Sequence, residues 1–307
     1  MTSKILKNRW IGNNDAKEAL DEIKLLFRNG GMFKNEHSPF GLTKDGLIDF
    51  RGIDLRQQQI KKIKIKNIDL SHSQFGNAWI ENSVFETVNF ENVDFTEISE
   101  RGNLFHNVKF SNCKFNKAGI GYEGSQYLHC LIEKSSFTKT VFIRGEFVNT
   151  QFIDCKLKGV DFNASSFENC SFVGRLEDVW FRGGYAYPSD DANFGKAKKN
   201  QMRNVSFSGA ILEGVNFSNG CDLSTVQLPS TNNYILFNNW EKRLEHLKEV
   251  IKEWSTPQRK EAEIFSSSFL VHAKTQDWFI VNIEELQRDF GVDVASNIII
   301  ELNKKTL

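Results

Sequence analysis

The side chains best able to do chemistry in this chain are dispersed. Its six histidines stand at 37, 72, 106, 129, 246 and 272, and none has a second His or a Cys at metal-ligand spacing. No Gly-rich phosphate loop followed by Lys-Ser/Thr, no His-Glu-x-x-His, no Cys-x-x-Cys and no Gly-x-Ser-x-Gly occurs. The five cysteines, Cys113, Cys130, Cys155, Cys170 and Cys221, each stand two residues before an apolar one: Phe115, Ile132, Leu157, Phe172 and Leu223. A thiol in so regular a setting acts as a compact hydrophobe, and an odd count suits free thiols in the cytoplasm. Asp and Glu fall mostly at positions expected to face solvent. These observations lead to the expectation of a non-enzymatic protein without metal or cofactor.

Recognition has a better candidate. The stretch VGRLEDVWFRGGYAYPSDDANFGKAKKNQ, residues 173–201, sets Trp180, Phe181, Tyr185, Tyr187 and Pro188 close to Lys196, Lys198 and Lys199. Loops on rigid scaffolds carry function, and Trp and Tyr dominate binding hot spots. Those four aromatics and three lysines are therefore the expected partner-binding residues. The alternative is a distorted segment of the scaffold in which Trp180 or Phe181 and Phe194 still point inward.

The scaffold itself is written in a five-residue period. From Phe50 the frame runs through Leu55, Ile60, Ile65, Leu70, Phe75, Ile80, Phe85, Phe90 and Phe95 without a polar residue. It slips at Ser99–Arg101, returns at Phe105, Phe110, Phe115 and Ile120, and shifts by two residues in GIGYEGSQY. A new run then extends from Tyr127 to Phe172, resumes at Met202, Phe207, Leu212 and Phe217, and shifts again for Leu223 and Leu228. Neither a helix face, recurring every 3.6 residues, nor a strand face, recurring every 2, accounts for this. Two inward residues separated by an outward one, then a corner, describe one side of a square coil with about twenty residues per turn and strand-like spacing between turns.

The pattern resembles the pentapeptide repeat family, with NVDF (92–95), GVDF (159–162), ANF (192–194) and NVSFSGAILEGVNF (204–217) as representative matches. The resemblance covers about residues 47–228 and implies a mainly β fold, a right-handed quadrilateral β-helix. The loop at 173–201 is then an excursion from the coil.

Residues 1–46 and 229–307 lie outside the period. Asp15 and Glu18 have capping-box spacing, Ala16, Ala19, Ile23 and Phe27 repeat at helical intervals, and Gly30 supplies the stop. This predicts an N-terminal helix that caps the first coil or, alternatively, binds a partner. After Pro229, Trp240, Leu244, Leu247, Ile251 and Trp254 mark an amphipathic helix, Pro257 starts another, and Asn282 with Glu285 reads as an N-cap. A helix-turn-helix reading of the final segment lacks groove-facing Arg, Gln or Asn, so direct nucleic-acid binding is not expected. A helical cap or a homodimerisation module fits better.

Charge sharpens the choice of partner. The chain carries 39 basic and 39 acidic residues, and residues 47–228 carry 21 of each. Residues 71–100 hold six acids and no Lys or Arg, yet in a twenty-residue coil Lys61, Glu81 and Arg101 stack, as do Lys66, Glu86 and His106. A ladder of alternating charge is the plainer reading, an acidic recognition face the other. The N-terminal MTSKILKNRWIGNND has no apolar run and no segment has the length of a membrane span, so a soluble, cytoplasmic protein is expected. A protein-interaction scaffold is the first functional expectation. The alternative comes from the family resemblance: members that mimic duplex DNA and occupy DNA gyrase or topoisomerase IV, protecting against topoisomerase inhibitors. The neutral rod and the long C-terminal module depart from that subgroup.

Overall fold

The computed structural model describes residues 2–12, 14–187 and 189–304. Between residues 48 and 218 the chain winds as a parallel β-solenoid. Following the chain, side 1 has its central residues at Phe50, Leu70, Phe90 and Phe110, side 2 at Leu55, Phe75, Phe95 and Phe115, side 3 at Ile60 and Ile80, and side 4 at Ile65, Phe85 and Phe105; all are buried. Sides 1 and 4 merge in one 13-stranded sheet and side 3 forms an eight-stranded one. Side 2 begins as single bridges running Asp54, Gln74, Asp94, Lys114, Ser136, Lys156.

The corner explains the period. Two residues after many central positions the backbone turns left-handed, at Asn67, Asn77, Asn82, Asn92, Asn107, Asn112, Asn149 and Asn169, with φ of 50–58°. Asn is among the few L-residues that adopt this region readily, because its short side chain can bond locally. Each corner turns the chain onto the next side after one inward pair, so aromatic stacks on aromatic. Phe95 and Phe115 are 4.8 Å apart at 10°, and Phe115 and Phe137 are 4.8 Å apart at 3°. That distance is the strand spacing.

The small inward position ties successive coils together. Cys113 Sγ donates to Phe90 O at 3.2 Å, Cys155 Sγ to Ile132 O at 3.3 Å, and Thr150 Oγ1 to Tyr127 O at 2.9 Å. All five thiols are free and buried, and burial pushes Cys113, Cys130 and Cys221 up to about 12.

Two expectations about the frame are corrected. Ser99–Arg101 is no slip, because the strand stays in register with Trp79–Glu81 and places Glu100 at the central inward position above Ile80. This carboxyl is 1% exposed. It accepts from Asn103 Nδ2 at 2.7 Å, Gly121 N at 2.7 Å and Tyr127 Oη at 3.2 Å. The bond to Gly121 reaches into the bulge at Gly119–Tyr122, where the first of the two extra residues is taken up, so the odd charge and the odd spacing belong to one device. Gly121 itself has φ +90° and lies against Gly145, where a Cβ would come within 2.8 Å of backbone.

The second correction concerns the excursion. Strand Ser171–Glu177 continues from side 1 onto side 2 with Leu176 buried, and Trp180–Arg182 forms a normal rung of side 3. The chain leaves the coil only at Gly183, and Met202 re-enters buried, so the excursion is shorter than 173–201.

Both ends are closed. Helices α1 (Ser3–Asn8) and α2 (Asn14–Asn29) lie over the first coil, with Ala16, Leu20, Ile23 and Phe27 buried; Leu20 takes the place expected for Ala19. Trp10 stacks on Phe50 with ring centroids 6.1 Å apart, and Arg9 donates to both Asp49 oxygens at 3.0 and 2.6 Å. Gly31–Met32 adds a parallel strand against Ile63–Lys64, which covers part of the open edge.

Short helix α3 (Asp190–Phe194) belongs to the excursion. The C-terminal module contains α4 (Trp240–Val250), α5 (Thr256–Ala273), α6 (Ile283–Phe290) and α7 (Val292–Leu302). It also contains an antiparallel pair, Tyr234–Phe237 with Phe279–Asn282, that helical periodicity had not shown. Asn282 caps α6 by accepting from Glu285 N at 3.3 Å, as its spacing predicts. The module seals the last coil with side chains in place of a strand. Gln276 bonds Cys221 N at 2.9 Å and Cys221 O at 2.6 Å, and Asn282 Nδ2 donates to Leu212 O at 2.8 Å.

Candidate functional site

The excursion lies folded down over the corner between sides 3 and 4. Tyr185 is buried against Ile143 and Ala164, and its hydroxyl donates to Gly195 O at 2.7 Å. Arg144 Nη1 holds Phe194 O at 2.7 Å, Asn219 Nδ2 holds Tyr185 O at 2.6 Å, and Asn163 Oδ1 accepts from Ala186 N at 3.0 Å. At the return, buried Asn200 uses Oδ1 to accept from both Phe167 N and Met202 N at 3.1 Å. These bonds to the coil pin the excursion at both ends.

The expected binding residues therefore separate. Phe181 is inside the rod, stacked between Phe162 and Phe217, so the alternative reading holds for it. Tyr185 is the anchor of the loop and points into the coil. Trp180 stays on the outer surface of side 3, half-buried, with the Arg182 guanidinium 4.3 Å above its ring and His272 of α5 5.3 Å away. Tyr187, 69% exposed, and Lys196, Lys198 and Lys199 face solvent, with Lys198 3.7 Å from Glu146. Pro188 is outside the described residues.

The C-terminal module completes a surface that no linear reading could assemble. Lys199 at the end of the excursion, Gly220 and Asp222 of the last coil, Lys242 of α4, and Lys274, Asp277 and Trp278 after α5 line one cleft of about 480 Å³. It is mixed in charge, with three lysines facing Asp222, Glu241 and Asp277. The sequence offered no signal for Lys242, on the surface of α4, or Lys274, in the turn after α5, because solvation is the default at both places. Among the described residues, no three His, Cys, Asp or Glu side chains gather as a metal site. No helix among them is long and apolar enough to cross a membrane.

Part of the charge on the rod faces is paired between adjacent coils. Lys66 pairs with Glu86 at 2.7 Å, Arg101 with Glu81 at 3.2 Å, Lys117 with Glu97 at 2.9 Å and Lys109 with Glu133 at 2.8 Å. Three of these pairs join residues twenty apart, which is the ladder the coil length predicts. Exposed pairs of this kind each add under about 1 kcal/mol, so their effect is on surface charge more than on stability.

No protein-family model and no curated protein matches the chain. Among solved structures it is similar to QnrB1, a plasmid-mediated fluoroquinolone resistance protein, at 15% identity over 56% of this chain and 89% of that one, with a TM-score of 0.33. HetL, a pentapeptide repeat protein involved in heterocyst differentiation regulation from Nostoc sp. strain PCC 7120, shares 15% identity over 60% of this chain and 89% of its own, with a TM-score of 0.31. A pentapeptide repeat protein from the Arabidopsis thaliana thylakoid lumen shares 14% over 47% and 77%, with a TM-score of 0.15. On its own five-residue period, left-handed corners and in-register parallel coils, the chain is a pentapeptide-repeat β-helix.

Proposed function

We propose that this protein is a non-enzymatic interaction scaffold whose rod holds a recognition surface at its C-terminal end. The observation that carries this reading is the convergence of the two segments that break the repeat: Lys199 of the excursion and Lys242 and Lys274 of the helical module line one cleft. Trp180 reaches α5 of the module through His272, with ring centroids 5.3 Å apart, and Tyr187 is the exposed aromatic of the excursion. A protein surface of mixed charge with an exposed Tyr is the chemistry that suits such a site.

The test is affinity capture with three forms of the protein: intact, Lys199→Glu/Lys242→Glu/Lys274→Glu, and a form with Ala186–Ala197 replaced by a short turn. Each is first checked for an unchanged thermal transition. Loss of the same captured proteins from both variants supports the reading. Undiminished capture moves recognition to the rod sides and sinks it.

A DNA topoisomerase as partner, the alternative the resemblance implies, would be favoured by an acidic rod face. Glu81, Glu86, Glu97 and Glu133 each face a cation on an adjacent coil, which leaves Glu91 and Asp94 as the outward-facing acids of residues 71–100 without an ion pair among the described residues. A supercoiling assay with purified gyrase decides this point, and inhibition or protection there would replace the scaffold reading.

A homodimer through the C-terminal helices would form on Ile264, Val271, Val292 and Ile300, the large apolar side chains that these helices leave exposed. Trp240, Leu244, Leu247, Phe265, Ile298 and Leu302 are already spent inside the module.

A further inference from the structure

A separate cleft, of about 270 Å³, opens where side 2 turns into side 3 beneath α5 and α6. Its walls are apolar and aromatic, with Val215 from the coil, Phe265 and Phe269 from α5, and Leu286 and Phe290 from α6. Two carboxylates, Glu285 and Asp289, line the same space. Gly214 N donates to both Glu285 oxygens at 3.1 Å, which fixes the orientation of that carboxylate at the coil corner.

The charge around the cleft is not balanced. Arg288 donates to Asp289 at 3.1 Å and stays 4.0 Å from Glu285, while Glu284 is engaged with Asn233. One guanidinium thus serves the two carboxylates that line the cleft. Burial raises the Glu285 carboxyl above its ordinary range, with the Gly214 bond and Arg288 working against that shift. A carboxylate so placed gains from a cation that enters the cleft.

We infer that this cleft binds a small organic amine with an apolar, preferably aromatic, body. The ammonium would sit between Glu285 and Asp289 and the body against Phe265, Phe269 and Phe290, whose ring faces favour cations as well as hydrocarbon. At about 30 Å³ per water the cleft equals roughly nine waters, which suits a ligand of roughly ten non-hydrogen atoms. The walls come from the coil, α5 and α6 together, so occupancy would also bind the module to the rod.

Phenethylamine is the probe, and 3-phenylpropanoate, with a similar body and opposite charge, is its control. By calorimetric titration the full-length protein is expected to bind the amine saturably, with Kd of about 1 mM as ordinary for a ligand of this size, and to bind the acid at least about tenfold more weakly. Glu285→Gln keeps an acceptor for Gly214 N and should weaken amine binding about tenfold or more. Asp289→Asn should weaken it to a lesser degree, and Ser268→Trp, which fills the cleft, should abolish it. Equal binding of amine and acid, amine binding indifferent to Glu285→Gln, or no saturation at all would each overturn the inference.

Discussion

Glu100 occupies a place that the neighbouring coils of side 3 fill with Ile80 and Ile120. A lone carboxyl among stacked Phe would be costly, and the cost is offset because its hydrogen-bond partners are built around it. Burial raises this carboxyl, with hydrogen bonds from Ser125, Asn103, Gly121 and Tyr127 acting in the opposite direction. A raised carboxyl holds its proton more tightly in the folded chain than in the unfolded one. Its stabilising contribution is therefore fully present below the unfolded value near 4.5 and declines as pH rises through the folded-state value. Glu100→Gln cannot titrate, so the melting temperature of the wild type relative to this variant should fall as pH rises above the unfolded value near 4.5. Parallel pH profiles for the two proteins would show that Glu100 does not exchange its proton with folding.

Asp49 has the opposite electrostatics and works at the scale of the cap. Its carboxyl is buried, which alone would raise it, yet hydrogen bonds from Arg51 and Arg9 outweigh that and hold it well below the usual carboxylate range. The contribution is present above the unfolded value of 3.8 and lost only in strong acid, so the docking of α1 and α2 should be indifferent to pH through the neutral range. Asp49→Asn removes the charge that joins Arg9 of the cap to Arg51 of the first coil and should cost about 3 kcal/mol, as for other broken buried pairs. Hydrogen exchange should then rise across residues 3–29 and stay unchanged in α4 to α7. The other cap joins the last coil through three neutral side chains together with the Glu285 carboxylate on Gly214 N. Gln276, Asn282 and Tyr234 meet the last coil's backbone by hydrogen bonds, so that end is not expected to respond to Asp49→Asn.

Register is the property of the whole molecule. Each coil places its inward side chains by counting residues, and the irregular steps are matched to particular devices: Glu100 with Gly121 at the two-residue insertion, and Gly174, φ +99°, where Leu176 follows Phe172 by only four. Deleting Lys139, which turns the corner after Phe137, supplies no such device and displaces the later rungs. Each Phe turned out of the core forfeits roughly 1.5–3 kcal/mol, so losing several exceeds the 5–15 kcal/mol that ordinary domains possess. The variant should be unfolded by circular dichroism. Deleting Ser189, in the excursion, should leave the melting curve within a few degrees of wild type, because Asn200 and Met202 still re-enter in place. Equal damage from the two deletions would refute the counting argument.

The coil was legible because every side of it repeats the same local demand: an apolar centre, a small inward neighbour and a corner that accepts a left-handed residue. Those demands are met within five residues, so composition and spacing alone carry them. The same period placed the five thiols, the charge ladder and the re-entry at Met202. It misjudged Glu100, since a frame read by hydrophobicity takes an acid as a break, and only the positions of Asn103, Gly121 and Tyr127 reveal that a carboxyl can stand there. Phe181 was assigned to a loop for a related reason: the four-residue step at Leu176 is invisible until the strand is seen to pair. The clefts were beyond any linear reading. Lys199 meets Lys242 and Lys274, and Gly214 meets Glu285, through docking of a module whose contacts span tens of residues, and such contacts are specified by tertiary packing and not by local period.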